Sequence, residues 1–318
     1  MNHEILFRHK LLNAVQSVLM LLGMTLILGL LAYLLGGREM FWWAIVTTAL
    51  VFILAPQVSP RMLMHLYQAR PLAPGEVPAL HEMIATLSRH AGLPTMPTLY
   101  YIPSRIMNAL TVGRQDNAAI LVTDGMLRNL SLRELQGVMA HEISHIRNND
   151  IWVMRLADTV SRAARVLSLF GQMLLFINLP LILFSATAIS WPAILLLIFA
   201  PGAADLLQLA LSRVREFDAD LGAAHLTGDP EGLASALVKL ERQQRGGWLS
   251  QVFLPGRREP QPSLLRTHPP TRARIERLLS LKPSRTSALP PAYDQPGVTE
   301  GLPVISRPPR RHWSGLWH

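Results

Sequence analysis

Residues 11–35 form a run of 25 positions without one charged side chain. Wound as an α-helix, that run extends about 37 Å, enough to cross a hydrocarbon core of about 30 Å with some tilt. A second uncharged run, 40–58, follows almost at once. Arg8 and Lys10 precede the first run as they would in a secretory signal, but the run is too long, lacks a small-residue cleavage site, and is followed directly by another span. Two weaker apolar runs occupy 166–189 and 191–211. Gln172, Asn178 and Pro180 interrupt the first of these, and Pro201 and Asp205 the second. A shallow or re-entrant hairpin therefore stands beside two full crossings as a reading, and Asp205 reads as an interfacial residue.

Composition agrees with insertion in lipid: 50% of residues are hydrophobic and only 16% charged, a low charge content for a soluble chain of this length. Loop charges orient the set. Arg8 and Lys10, Arg61 and Arg70, Arg155, Arg162 and Arg165, and Arg213 and Arg215 flank one side of the four runs, while the opposite loops hold only Arg38 with Glu39 and no charge at all over 185–190. The positive-inside bias places both termini in the cytoplasm. The net charge of +9 fits a face beside anionic lipid. No RNA- or DNA-binding motif accompanies it, so no nucleic-acid partner is expected. Cysteine is absent, which excludes a disulfide framework and thiolate ligands.

Within the soluble part, residues 141–145 read His-Glu-Ile-Ser-His. On a helix, His141 and His145 lie one turn apart on one face, close enough to grip one metal ion, with Glu142 beside them. Neutral imidazoles leave a zinc ion its Lewis acidity, which brings a water's pKa to about 7 and polarises a carbonyl. Glu142 is then placed to take the water's proton and pass it to a leaving amine. Local signals support the helix. Ser131-Leu-Arg-Glu134 is a capping box, and Leu135, Val138, Met139 and Ile143 form an apolar stripe at helical spacing. The bland alternative, an amphipathic helix carrying two unremarkable histidines, is weakened by the complete triple.

A catalytic zinc needs a third protein ligand. Downstream, Glu216 and Asp220 share a helical face at i, i+4 within Ser212-Arg-Val-Arg-Glu-Phe-Asp-Ala-Asp220. Glu216 suits the metal, and Asp220 suits the second ring nitrogen of a ligating histidine. Alternatively, the segment is a solvated face whose carboxylates pair with Arg213 and Arg215. Asp218 is the rival ligand, without an i+4 carboxylate partner. Asp150 fits either a second support for a histidine or a terminal polar residue.

The strings His141-Glu-Ile-Ser-His-Ile-Arg-Asn-Asn-Asp150, Ser212 through Asp220, and Thr267-His-Pro-Pro-Thr271 with Arg274-Ile-Glu together resemble the HtpX-type membrane zinc endopeptidases, related to the CAAX prenyl proteases. The resemblance covers residues 1–281 in the family's order. It implies zinc bound by His141, His145 and Glu216, Glu142 as the catalytic residue, and a site on the cytoplasmic face of the inner membrane. Asn108-Ala109 resembles the family's Asn-Ala element, associated with holding a substrate's main chain. The following Leu-Thr-Val-Gly113 departs from the usual Phe-Ala-Thr-Gly and leaves the pocket's shape there open. His268, ahead of the last helix, reads as a donor to the oxyanion assisted by Arg274, or as a loop and capping residue.

The expected architecture is a mainly α membrane protein with a cytoplasmic α+β, zincin-type (gluzincin) catalytic domain. Its divisions are two transmembrane helices over 1–59, a first catalytic part over 60–165, a membrane hairpin over 166–211, a second catalytic part over 212–281, and a disordered Pro- and Arg-rich tail over 282–318. Helices are expected near 78–91, 230–244 and 270–281, and strands near 98–102 and 118–123. The latter strand reads either as lying beside the cleft, where an extended peptide could add a further strand, or as a plain core strand. The expected function is zinc-dependent cleavage of internal peptide bonds in misfolded membrane proteins, with polypeptide substrates and the lipid bilayer as partners. Processing of specific substrates and a non-cleaving membrane scaffold are the rival readings.

Overall fold

The computed structural model describes residues 3–54, 69–184, 191–253 and 271–281. His268 and the tail 282–318 lie outside the described residues. Two compact units divide the chain, one comprising 1–9, 57–151 and 216–318, the other 10–56 and 152–215. At 151/152 and at 215/216 the division falls inside a helix.

The second unit is helical. Helix α1, His3–Leu54, breaks at Gly36 and Gly37, whose dihedrals leave the helical region. Gly37 has φ 65°, ψ −154°, a conformation that a side chain would resist. The chain reverses there. A methyl group built on Gly29 would stand 2.6 Å from the Phe41 ring, whereas two residues twelve apart on a straight helix are separated by about 18 Å. The two uncharged runs of the sequence are thus the arms of one hairpin. Helix α5, Asp150–Phe184, and helix α6, Trp191–Thr227, complete the unit. Met24, Leu28 and Leu31 of α1 pack with Ala157, Val160 and Ala164 of α5 and Leu197, Ala200, Ala204 and Leu211 of α6. Arg215, buried in this unit, donates to Asn13 O at 3.1 Å and Ser17 Oγ at 2.6 Å, and at the surface Asp205 pairs with Arg165 at 2.6 Å. Outward, the same helices expose Leu19, Leu22, Leu26, Trp43, Ile53, Phe199 and Leu206. An apolar surface this extensive is costly in water and suits lipid. Among the described residues, two helical stretches, Leu11–Leu54 and Leu195–Thr227, are long and apolar enough to cross a membrane.

The first unit is built around a four-stranded sheet of order β1-β2-β4-β3, with β1 Arg70–Pro71, β2 Thr98–Ile102, β3 Ala109–Val112 and β4 Ala119–Thr123. β2 and β4 are parallel, and the outer pairs are antiparallel. All five residues of β4 are buried, as its uninterrupted apolar run requires of a strand paired on both sides. Of the two readings of this segment, the plain core strand is the one present, and among the described residues β3 is the sheet's outer strand beside it. Helix α2, Pro78–Ala91, starts with Pro at its first position and ends on the left-handed Gly92, φ 70°, the usual asymmetry of helix termini. A short helix α3, Asp124–Asn129, leads from β4 into helix α4, Leu132–Arg147.

Helix α4 carries the His-Glu-Ile-Ser-His string, and its placement is over-determined. Leu135, Met139, Ala140 and Ile143 are fully buried in the main core. The capping box forms: Glu134 N donates to Ser131 Oγ at 3.3 Å and Ser131 N to Glu134 Oε2 at 2.8 Å. Glu134 also binds helix α7, Pro230–Phe253, accepting from Ser235 Oγ at 2.7 Å and Lys239 Nζ at 2.6 Å. Burial raises the Glu134 pKa, but Lys239, Ser235 and the Ser131 amide outweigh it and hold the carboxyl below the usual range. The stabilisation is fully present above the ordinary carboxylate pKa and is lost as pH falls through the depressed folded value. Helix α8, Thr271–Leu279, packs on α7 and inserts Arg274 and Leu278. Ser131→Ala is expected to cost about 1 kcal/mol, and Glu134→Ala more, because it also strips Lys239 and Ser235 of a partner. The check is the Tm of the detergent-solubilised protein. An unchanged Tm in Glu134→Ala would contradict the role given to this clasp.

Candidate metal centre

On α4, His141 and His145 point the same way, with rings edge to face and centroids 4.6 Å apart. Their Nε2 atoms lie 3.0 Å from each other. The third member comes from α6, whose C-terminal part crosses α4 closely enough that a methyl on Gly222 would meet Ser144 Oγ at 2.6 Å. Only glycine permits that approach. It brings the Glu216 carboxylate to 3.5 Å from His141 Nε2 and 3.7 Å from His145 Nε2. One ligand atom from each of the three residues falls within 4.8 Å of the others, the convergence needed to hold one cation.

The remaining ring nitrogens are occupied on the far side. His141 Nδ1 is 3.0 Å from Asp220 Oδ1, and His145 Nδ1 is 2.7 Å from Asp150 Oδ2. Each carboxylate accepts the Nδ1 proton, which leaves the Nε2 lone pair directed at the shared space. Nitrogen–nitrogen–carboxylate donors in a buried pocket, both rings locked in the tautomer that coordinates, fit a zinc-type cation. Asp218 takes a different course, accepting from Asn148 Nδ2 at 3.0 Å. Of the two readings open for Asp150, the contact with His145 is the one present.

Arg274 lies beneath the cluster. It is buried, binds both oxygens of Asp220 at 2.7 and 2.8 Å, and reaches Glu216 Oε2 at 3.0 Å. Burial disfavours its charge, but Asp220 and then Glu216 outweigh that and raise its pKa. Its Nη2 is 3.5 Å from His141, and the charge of Glu142 also reaches it. Burial likewise opposes protonation of His141, yet Asp220 and Glu216 prevail and push its pKa up to about 9 in the metal-free site. His145 is raised in the same way against burial and the neighbouring His141, through Asp150. A cation must displace these protons, so metal affinity rises with pH up to about 9.

Glu142 sits on the half-exposed side of α4 and accepts a hydrogen bond from Thr111 Oγ1 of β3 at 2.5 Å. Sequence reading did not single out Thr111. Its one signal was the departure of Leu-Thr-Val-Gly113 from the family's run. Asn108 and Ala109 stand at the start of β3: Asn108 N donates to Thr123 Oγ1 at 2.9 Å, Thr123 N to Asn108 O at 3.1 Å, and Ala109 pairs with Val122. Gln243 of α7, also missed, holds the preceding loop through Met107 N and, at 3.0 Å, Arg105 O.

Residues 74–282 match Peptidase family M48. The chain belongs to that family. Curated relatives agree: it is 38% identical over 278 residues to a protease HtpX homolog of Acaryochloris marina, covering 82% of this chain and 92% of that one. A protease HtpX homolog of Methylibium petroleiphilum is 32% identical over 294 residues, covering 86% and 99%, and one of Pyrococcus abyssi is 36% identical over 275 residues, covering 82% and 93%. Among solved structures, S. mikatae Ste24p shows a looser likeness, with TM-score 0.45 and 22% identity over 86% of this chain and 66% of that one. The protein is a membrane metallopeptidase, and a metal is its cofactor. In this peptidase, Asp150→Asn is expected to weaken metal retention by roughly 10- to 100-fold with the fold intact. Asp220→Asn should lower Tm as well, because Arg274 loses its charged partner. Competition with a graded chelator, alongside thermal melts, separates the two effects.

Proposed function

We propose that this peptidase is a zinc endopeptidase of the cytoplasmic membrane that cleaves internal bonds of misfolded membrane proteins. The observation that carries the reading is the convergence of His141 Nε2, His145 Nε2 and the Glu216 carboxylate, with both Nδ1 atoms taken by Asp220 and Asp150. We assign the three converging residues to the metal and the two aspartates to orienting the rings. When bound, zinc supplies Lewis acidity that eases deprotonation of a water and polarises the scissile carbonyl.

The chain's own residues supply the rest. Glu142 takes a proton from the attacking water and later delivers it to the amine nitrogen as the peptide bond breaks. An extended substrate lies along the free edge of β3, beginning at Asn108 and Ala109, where main-chain hydrogen bonding demands little of its sequence. Arg274 keeps Asp220 and Glu216 in place and contributes to substrate contact once a peptide is bound. His268, outside the described residues, is assigned to the oxyanion. Support for the cellular role comes from the relatives' common name, HtpX protease, and from the lipid-suited exterior of α1 and α6. The arginines flanking the apolar runs support a cytoplasmic site and termini. The divisions at 59, 165, 211 and 281 remain our reading of how membrane and catalytic segments alternate.

The test uses full-length protein in detergent, loaded with zinc and given unfolded casein. Glu142→Gln should lose roughly 100-fold or more of the rate with its zinc content unchanged. Equal cleavage by Glu142→Gln and the wild type would contradict the assignment of the base.

A further inference from the structure

A glutamate acting as base on a half-exposed helix face is not held by the helix. Three side-chain torsions separate its carboxylate from the backbone, and proton abstraction needs that group aimed within a fraction of an ångström. Helix α4 fixes where Glu142 starts but not where its oxygens end. The fixing contact comes from the neighbouring strand, where Thr111 Oγ1 donates to Glu142 Oε2 at 2.5 Å.

Thr111 is well suited to hold something still. It is buried, and it is the third residue of β3, in register with Ile120 of β4. Its branched β-carbon restricts χ1, so the hydroxyl's position is inherited from the strand. That strand is paired to β4, whose every residue is buried, and it packs against α4. Thr111 is not among the residues converging as metal ligands, which are His141, His145 and Glu216.

We propose that Thr111 is a positioning residue for the general base. The proposal rests on the reading of Glu142 given above. By donating to Oε2, the hydroxyl immobilises one carboxylate oxygen and leaves Oε1 as the proton acceptor. The water's O–H bond breaks as the Oε1–H bond forms. The water's oxygen bonds to the scissile carbonyl carbon, the same proton leaves Oε1 for the amine nitrogen as the C–N bond breaks, and throughout both transfers the bond from Thr111 prevents the carboxyl group from turning away. The strand that offers its edge to the substrate thereby also sets the aim of the base.

The experiment compares Thr111→Val, which keeps the branched shape and loses the hydroxyl, with Thr111→Ser, which keeps the hydroxyl. Full-length zinc-loaded protein is assayed on a fluorogenic casein peptide, with zinc content measured for each variant. Thr111→Val should lower kcat by about tenfold or more, the scale of a lost hydrogen bond to a charged group. Its KM should stay within about twofold and its zinc content at the wild-type level. Thr111→Ser should restore most of kcat. Four results would overturn the proposal: an unchanged kcat in Thr111→Val, equal slowing in both variants, a rise in KM alone, or loss of zinc from Thr111→Val. Glu142→Gln, run in parallel, separates the two levels. If it stays active, the base assignment itself fails; if it is inactive while Thr111→Val is unaffected, only the role of Thr111 fails.

Discussion

Two imidazoles buried side by side, each with one nitrogen held by a carboxylate and the other turned into a shared space, set the demands that the rest of the catalytic unit meets. Isolated, every one of these groups would be costly to bury. Together they compensate: Asp150 accepts a hydrogen bond from His145 Nδ1, Asp220 accepts one from His141 Nδ1, and Arg274 offsets Asp220 and Glu216. Without metal, the elevated His141 pKa of about 9 means that a proton partly fills the electrostatic role of the cation. The site is thus prepared for positive charge before an ion arrives.

Such a cluster survives only where the elements beneath it cannot shift. Helix α4 is held by a capping box at its start, by a fully buried stripe along its length and by the Glu134–Lys239 pair. The Glu216-bearing end of α6 is set against α4 by the close approach at Gly222. Substitution of Gly222 would act on the distance between Glu216 and the histidines. The strand β3 completes the constellation from the other side through Thr111.

Much of this was legible in the residues. Capping chemistry located the start of α4, and the helix expected near 78–91 is α2. The strands expected over 98–102 and 118–123 cover β2 and the whole of β4. The i, i+4 carboxylates separated Glu216 and Asp220 from Asp218, because both must face the same helix. Other features escaped. β3 has only four residues, three of them buried. Only pairing with β4 makes it a strand, and that is a tertiary fact. Thr111 lies 31 positions from Glu142 and Gln243 lies 136 from Met107, and no local pattern links such residues. Asp150 was ambiguous because a residue five positions after His145, at the start of the next helix, can face the ring or solvent with equal local sense.

The most direct test of the central claim is zinc-edge X-ray absorption on the full-length protein and on Glu216→Ala. The account predicts one zinc per chain in the wild type, with two imidazole nitrogens at about 2.0–2.1 Å and oxygen ligands at about 2.0–2.2 Å, and in Glu216→Ala a loss of occupancy or of a carboxylate oxygen with both imidazoles retained. A wild-type spectrum without two imidazoles, or a spectrum and zinc content unaltered by Glu216→Ala, would contradict it.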